Sequence, residues 1–292
     1  MNHQLPRVFQ ANSGTKSTSV GKNGIIRIEL AVDDSSKTFI KDLQTKAPLL
    51  VQKALYPNVE FPNTAHIYLM SSAGGILQGD KLEIDIIAGK NTSSHITTQA
   101  ATKIYKVEKG HASQHINLFA QNGSYLEFLP HQIIPYKSSK FYQEVNLTIE
   151  TTATVIYSEI ISAGRLAFGE KFDFDICFLR LFAYDVNGKI LFSDVMNMQP
   201  TKNKNEFSYL FGDKTLCSSV YIVTKSVENE KIDHEISSAI KTSSMLASCS
   251  TLPNDSGIVV RILSDSIDEI NDLISTITTI IRNNSTCLQA IY

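Results

Sequence analysis

The side chains best suited to chemistry in this chain are two histidines and a few carboxylates beside turns. His111 and His115 are four residues apart, which places both rings on the same side of a helix or strand. Imidazole binds nickel, copper and zinc well, so the pair is a candidate metal site, the alternative being an ordinary surface pair. Asp80 and Glu170 each follow a glycine, where carboxylates commonly bond their own backbone. His131 follows a Leu-Pro step, and we weigh a position facing a cavity against an ordinary loop position.

Several catalytic patterns are absent from the sequence. Gly74 and Gly79 have the spacing of a phosphate-binding loop, but Asp80 stands where that loop requires lysine, and a carboxylate would repel phosphate. No Glu follows His111, so the zinc-protease pattern fails. Ser71, Ser72 and Ser162 lie outside any Gly-x-Ser-x-Gly elbow. The sequence therefore offers no catalytic constellation, and we predict that the chain is not an enzyme.

The stretch from residue 71 to residue 106 predicts the elements that position these groups. A glycine turn at Gly74-Gly75 leads into Lys81 to Ile86, where Leu82, Ile84 and Ile86 alternate with charged residues, the pattern of a half-buried strand. A turn follows at residues 89–91. The segment from Ile96 to Tyr105 is rich in threonine and too polar for a core strand, so we weigh a surface that binds a partner against a plain exposed edge.

Further strands recur about every ten residues up to Phe192. They are expected at residues 24–30, 65–70, 115–119, 125–129, 145–149, 155–161, 172–178, 179–184 and 189–192. Asn187-Gly188 between the last two is the strongest hairpin signal in the chain. This spacing predicts an all-β body, and it leaves open whether the body is a sandwich, a barrel or a helical stack of strands.

The last part of the chain differs from this body. A strand at residues 219–224 precedes a helical pattern from 228 to 247, a second strand at 257–263 and a helical stripe from 266 to 282 that Ser264-Asp265 should cap. This is a C-terminal β-α-β-α unit of two helices. We therefore predict one domain over residues 1–292, with a β-rich body over about 20–215 and a mixed tail over about 216–292.

Composition excludes several classes of partner. The 27 basic and 29 acidic residues give a net charge of −2, without the charge runs that nucleic acid or a membrane surface would attract. The four cysteines form no Cys-x-x-Cys pair and are expected to be reduced core residues. No apolar run approaches the roughly 18 residues of a membrane span, and the N-terminus does not have the pattern of a secretory signal. We expect a cytoplasmic protein that binds neither nucleic acid nor membrane.

Five blocks of sequence, in order, resemble the urease accessory proteins of the UreD/UreH family. They begin at Val51, Gly74, Thr97, Leu126 and Gly164, and read VQKALYP, GGIxxGDKL, TTQAATKIY, LEFLP and GRLAFGE. They span about 120 residues, and beyond residue 180 the resemblance is general. Gln78 and the His131-Gln132 pair depart from the residues usual in the family, at one turn and at one metal-facing position.

The resemblance implies a mainly β fold with a β-helix-like stack of many short strands. It implies a urease maturation factor that acts as a non-catalytic scaffold or chaperone. Such a factor binds apo-urease and recruits accessory proteins of the F type and of the G type, which is a GTPase, so that nickel can be inserted. A homodimer within the complex is compatible with it. No tightly bound cofactor is expected, only transient Ni²⁺ on an internal path. The candidate metal-binding residues are Asp80, Glu170 and His131, and the candidate partner-binding residues are Thr98, Gln99, Thr102, Lys103, Tyr105 and Arg165.

Two other functions remain open at this stage. The chain could be a hydrolase or lyase on a β-helix-like fold that uses Asp80, Glu170 or His131 in a groove, which would require two carboxyl groups about 5 to 10 Å apart. It could also be a structural module that dimerises through its helical tail.

Overall fold

A computed structural model describes residues 5–10, 21–200, 210–224, 229–242, 245–285 and 288. In these ranges the protein is mainly β, with about four turns of a β-solenoid. One sheet, here sheet 1, contains β1 (Asn23–Val32), β2 (Thr38–Lys46), β5 (Lys81–Ala88), β8 (Ala112–Ala120), β11 (Lys140–Ile149), β13 (Ile176–Asp185) and β14 (Ile190–Met198). The other, sheet 2, contains β3 (Leu49–Val51), β4 (Ala65–Ser71), β6 (Ser93–Thr98), β7 (Thr102–Ile104), β9 (Tyr125–Phe128), β10 (Ile133–Pro135), β12 (Thr154–Ser162), β15 (Leu216–Thr224), β16 (Leu246–Thr251) and β17 (Gly257–Ser264).

The chain winds between the two sheets. Strands β1, β5, β8, β11 and β13 are neighbours in sheet 1 and pair in parallel, as do β4, β6, β9 and β12 in sheet 2. The short strands β7 and β10 also pair in parallel, and β10 joins the rest of sheet 2 through a single pair with β12. We call the surface that β7 and β10 form the third side of the solenoid. This arrangement confirms the β-helix-like stack.

Alternating side chains explain why these segments form strands. In β5, Leu82, Ile84 and Ile86 are buried in the core between the sheets, as their spacing predicts. The intervening carboxylates lie on the outer face, where Glu83 and Asp85 both bond the guanidinium of Arg27 on the neighbouring strand. The interior is therefore filled from two opposing apolar faces, and the outer face of sheet 1 is polar here.

The prediction that residues 96–105 are too polar for a core strand is wrong in part. Ile96 and Ile104 are fully buried in β6 and β7. Thr97 is also buried, because its hydroxyl donates to the carbonyl of Leu129 at 2.7 Å and is thereby satisfied. Threonine is β-branched and suits a strand once its hydroxyl has a partner, so composition alone was misleading.

The predicted hairpin is confirmed, whereas the strand preceding it begins later than expected. Strands β13 and β14 pair antiparallel around Asn187-Gly188, and Gly188 has a φ of 79°. Phe172 has a φ of 56°, a left-handed conformation that a strand does not contain. The predicted strand over residues 172–178 therefore becomes a bend followed by the start of β13 at Ile176.

The α-helices whose bounds fall within the described ranges are α1 (Arg7–Gln10), α2 (Asn229–Thr242) and α3 (Ile267–Asn284), and 3-10 turns lie at Leu166–Phe168 and Pro253–Asp255. The C-terminal unit contains one strand more than predicted, because Leu246 and Ala247 belong to β16 and not to the preceding helix. The cap of α3 is Ser266, whose hydroxyl accepts the amide of Glu269 at 3.3 Å, and not Ser264-Asp265.

The apolar stripe of α3 packs within the molecule. Its buried residues lie with those of α2 against the outer face of sheet 2. They are Ile270, Leu273, Ile274, Ile277 and Ile281. At roughly 1.5 to 3 kcal/mol for each fully buried aliphatic side chain, this stripe supplies most of the attachment of the helix.

A buried ion pair fixes the end of α3. Both carboxylate oxygens of Glu127 in β9 accept hydrogen bonds from the guanidinium of Arg282, at 2.7 and 2.6 Å, and one also lies 2.6 Å from Nδ1 of His95. Burial alone would raise the pKa of Glu127, but His95 and Arg282 outweigh it and lower the pKa to about 2. Glu127 therefore stays ionised and holds the helix against sheet 2.

Cys177 is buried, and Cys217 and Cys249 are partly buried. All three are free thiols, as expected of reduced cysteines. The remaining cysteine, Cys287, lies outside the described residues.

Candidate functional site

The structure brings together the glycine turn and the threonine-rich segment that the sequence singled out. The amide of Ile76 donates to the carbonyl of Lys103 at 2.8 Å, and the amide of Tyr105 donates back to Ile76 at 3.0 Å. A Cβ on Gly75 would lie 2.5 Å from both the Lys103 carbonyl oxygen and the Tyr105 ring. Glycine is therefore required for this close approach.

A cavity of about 250 Å³ lies where these two segments meet. Four of the six predicted partner-binding residues line it, namely Thr98, Gln99, Thr102 and Lys103. Its inner wall includes Leu82 and Ile84 of the core, so it reaches from the turn into the solenoid.

A second, smaller cavity of about 20 Å³ adjoins it inside the solenoid. The two share Thr98, Thr102 and Gln114. The smaller one is also lined by His131, Gln143 and Glu159. We call these six residues the interior polar row. Gln114 and Gln143 are buried and the other four are partly buried, next to a core that is otherwise aliphatic and aromatic.

Glu159 is the charged residue at the inner end of this row. Its side chain accepts a hydrogen bond from the Gln143 amide at 2.8 Å and one from the Tyr157 hydroxyl at 3.0 Å. Burial raises the pKa of Glu159 to about 7, and the negative charge of Asp194 adds to the rise while Tyr157 opposes it. The carboxyl group is therefore balanced between its neutral and charged forms near neutral pH.

Polar contacts continue beyond Glu159. The ring of Tyr157 stacks on that of Tyr221 with centroids 5.9 Å apart, and the Tyr221 hydroxyl donates to Asp194 at 2.6 Å. Arg261 forms an ion pair with the same carboxylate and is partly exposed. The polar groups thus extend from the cavity at the glycine turn to a partly exposed ion pair on β14 and β17.

Comparison with known proteins decides the family. The profile described as "UreD urease accessory protein" matches residues 22–291. A protein from Cenarchaeum symbiosum named urease accessory protein UreD is 34% identical over 251 residues, covering 86% of this chain and 88% of its own length. The chain belongs to the UreD family of urease accessory proteins.

Other UreD proteins are similar to the chain to the same degree. One from Streptomyces griseus is 33% identical, with 85% of each chain covered, and one from Photorhabdus laumondii is 34% identical, with 85% of this chain and 78% of its own length covered. The family resemblance inferred from the five sequence blocks is thus confirmed. No helix in the described part of the chain is both long and apolar enough to cross a membrane.

Of the three predicted metal-binding residues, only His131 belongs to the interior polar row. Asp80 is buried, and its two oxygens accept the backbone amides of Lys22 at 2.8 Å and Leu77 at 2.9 Å. Glu170 pairs with Arg165 through contacts of 3.2 and 2.6 Å. Asp80 and Glu170 therefore stabilise turns, and their contact with nickel stays a prediction.

The two remaining predicted partner-binding residues, Tyr105 and Arg165, lie together on the third side of the solenoid. Arg165 forms an ion pair with Glu170, in which Nη2 and Oε1 are 2.6 Å apart. The carboxylates named in the hydrolase alternative are thus bonded to backbone amides or to arginine, an arrangement that gives this alternative no support.

His111 and His115 contact aromatic rings. The His111 ring lies 4.8 Å from Phe9 of α1, and the His115 ring lies 5.6 Å from Tyr142. Burial lowers the pKa of His111, with smaller contributions from Lys81 and His115. In the described part of the chain, no group of three or more His, Cys, Asp or Glu side chains is placed to hold a metal ion.

Sequence reasoning missed Gln114, Gln143 and Glu159. Each occupies an inward position of a strand in which its neighbours two residues away are apolar, such as Tyr157 and Ile161 around Glu159. A lone polar residue on the apolar side of a predicted strand was the available signal, because such a residue costs stability unless it has a partner.

Proposed function

We propose that this UreD protein is a non-catalytic urease maturation factor. It binds apo-urease, recruits accessory proteins of the F and G types, and passes Ni²⁺ through its interior towards the urease active site. Family membership and the names of the relatives support the role in urease maturation. A cytoplasmic location and a homodimer within the complex go with this role as predictions.

The observation that carries the nickel path is the interior polar row. Amide, hydroxyl and carboxyl groups inside a solenoid core are costly, and a core built for stability alone would be apolar at these positions. Oxygen atoms from Thr98, Thr102, Gln114 and Gln143 can replace water molecules around a passing cation. His131 adds an imidazole, which suits nickel better than these oxygens do.

The raised pKa of Glu159 suits transient binding. A carboxyl group with a pKa of about 7 is largely uncharged in an empty interior at slightly acidic pH, so it avoids most of the cost of a buried charge. An arriving divalent cation favours the carboxylate, and the proton leaves. When the cation moves on, the proton returns.

Weak, dispersed ligands are what transit requires. A site that bound nickel at nanomolar affinity, about −12 kcal/mol, would retain the ion instead of releasing it. The interior polar row supplies one carboxylate, one imidazole and several neutral oxygens, which is far from a closed four-ligand site.

Co-purification tests the scaffolding role. Tagged protein should capture urease subunits and the accessory proteins of the F and G types when all are co-expressed without added nickel. It should also restore urease activity to cells that lack their own UreD protein. A well-folded protein that captures none of these components and restores no activity would contradict the proposal.

A further inference from the structure

The third side of the solenoid presents a column of side chains in mutual contact at the surface. Tyr105 and Tyr136 occupy equivalent positions in successive turns, because Ile104 pairs with Pro135 in parallel register. Their ring centroids are 5.1 Å apart. The guanidinium of Arg165 lies 4.4 Å from the Tyr136 ring and 4.3 Å from the Phe168 ring. We call these four residues the aromatic column.

The outer end of the column is an exposed phenylalanine on a well-fixed turn. Phe168 is 72% exposed, and Leu166 beside it is 40% exposed. The 3-10 turn Leu166–Phe168 is closed by the amides of Phe168 and Gly169, which donate to Arg165 and Leu166 at 2.9 Å each. Gly164, just before it, has a φ of 145°, and a Cβ there would lie 2.6 Å from the Glu170 carbonyl oxygen.

Binding hot spots between proteins have this composition. Tyrosine and arginine are enriched in them, and side chains already fixed in place lose little entropy when a partner binds. When a partner covers a large apolar side chain that was exposed, the free energy of the complex falls, and a rigid turn keeps the entropy cost small. The aromatic column and its exposed tip are therefore suited to docking a protein.

The charges around the column indicate which kind of protein segment it fits. Exposed Lys103, Lys137 and Lys171 flank it, and none of these lysines forms an ion pair with a described residue. The one carboxylate within the column's own turn, Glu170, is neutralised by Arg165. Asp173 lies beside Lys137, because its carbonyl accepts the amide of Ser138 at 2.9 Å, and the three lysines outnumber it. The surface is therefore positive on balance, although the whole chain carries a net charge of −2.

Contacts within the column disfavour nucleic acid as the occupant. Bases bind to exposed aromatic rings, but the Tyr136 ring already contacts both the Tyr105 ring and the Arg165 guanidinium. The most exposed parts of this surface are Phe168 and the three lysines. These suit aliphatic and carboxylate side chains better than stacked bases.

We propose that the aromatic column docks an acidic segment of a partner protein, with an apolar side chain of that segment against Phe168 and its carboxylates near the three lysines. This inference rests on the proposed scaffolding role and specifies the chemistry of one partner surface. The Gly74-Gly75 turn, which packs on Tyr105, also lines the large cavity, so the docked segment would lie beside the entrance to the interior polar row.

Binding of purified partners to variants tests the proposal. Phe168→Ala should weaken binding of one urease or accessory component at least about tenfold. The matched control is Val186→Ala, in the turn that follows β13, which removes a 51% exposed side chain and should leave binding unchanged. Lys137→Glu combined with Lys171→Glu should weaken the same interaction and flatten its salt dependence. All variants should retain the thermal unfolding midpoint of the wild type within a few degrees.

A photo-crosslinking residue at position 168 then identifies the occupant. A crosslink to an acidic segment of that component supports the proposal. The proposal would be overturned if every component bound Phe168→Ala and the double lysine variant as well as it binds the wild type. It would also be overturned if the protein bound a 20-nucleotide single strand of DNA and lost that binding in Phe168→Ala. Wild-type protein that captures no component would contradict the scaffolding role itself, a result distinct from selective insensitivity of the variants.

Discussion

Replacing Glu159 by glutamine tests whether this partly buried carboxyl group is shielded from water strongly enough to shift its pKa. In the unfolded chain its pKa is about 4.5, and in the folded protein burial raises it to about 7. A raised folded-state pKa contributes stability that is fully present below pH 4.5 and is lost as the pH rises through 7. At about 1.4 kcal/mol per pKa unit, the loss by pH 8 is about 3 kcal/mol.

The assay is urea unfolding of wild type and Glu159→Gln at several pH values between 4.5 and 8.5. Glutamine keeps the size and an acceptor for Gln143 and Tyr157 but cannot ionise. The free energy of unfolding of the variant, minus that of the wild type, should therefore increase by about 3 kcal/mol across this range. A difference that stays flat with pH would refute the assignment of Glu159 to an enclosed site.

A matched control, Glu170→Gln, should show the opposite pH dependence of stability. Arg165 lowers the pKa of Glu170, the main cause being their hydrogen bond, so Glu170 contributes stability above its unfolded pKa of 4.5 that is lost in acid. Glu170→Gln should therefore be less stable than wild type at neutral pH, and the difference should shrink as the pH falls. The two glutamine variants thus distinguish an interior carboxyl group from one in a surface ion pair.

Two further predictions concern the turn and the helix that the site depends on. Gly75→Ala places a Cβ 2.5 Å from a backbone carbonyl oxygen and should lower the free energy of unfolding by about 1 to 3 kcal/mol. Gly74→Ala should lower it less, because the nearest neighbour of the new Cβ is a tyrosine hydroxyl at 3.3 Å. Equal effects of the two variants in thermal unfolding would argue against the close approach at Gly75. Ile274→Asp puts a charge into the buried stripe of α3 and should aggregate the protein or abolish its complexes, whereas Ser275→Asp on the exposed side should do neither. Light scattering and pull-down compare the two variants. An Ile274→Asp protein that stays soluble and binds its partners would contradict the packing.

Local patterns predicted the strands well for a physical reason. Alternation in segments such as Lys81 to Ile86 records which side of a strand is buried, and Asn187-Gly188 records a turn that needs positive φ. Both signals are contained in a few neighbouring residues. They identified the β-rich body without showing how its strands stack.

The interior polar row was not predictable in this way. Thr98, Gln114 and Glu159 lie on different turns of the solenoid, and they become neighbours only because the turn lengths set the register of the stack. A single sequence shows that each is polar but not that they share a cavity. The same limit explains Asp80, whose neighbouring glycine suggested a turn while its partner, the amide of Lys22, lies 58 residues away.

Nickel delivery through the interior is the central claim, and the nickel content of activated urease tests it most directly. The perturbation is Glu159→Gln combined with Gln143→Leu, which removes the carboxylate and the Gln143 amide oxygen from the row and leaves the residues of the aromatic column and α3 unchanged. Urease is activated with either protein in the same co-expressed complex, then purified, and its nickel is measured by atomic absorption. The account predicts that the variant assembles as well as wild type while the urease it releases contains little nickel and has low activity. Urease with full nickel content and full activity from an intact complex of the variant would contradict it.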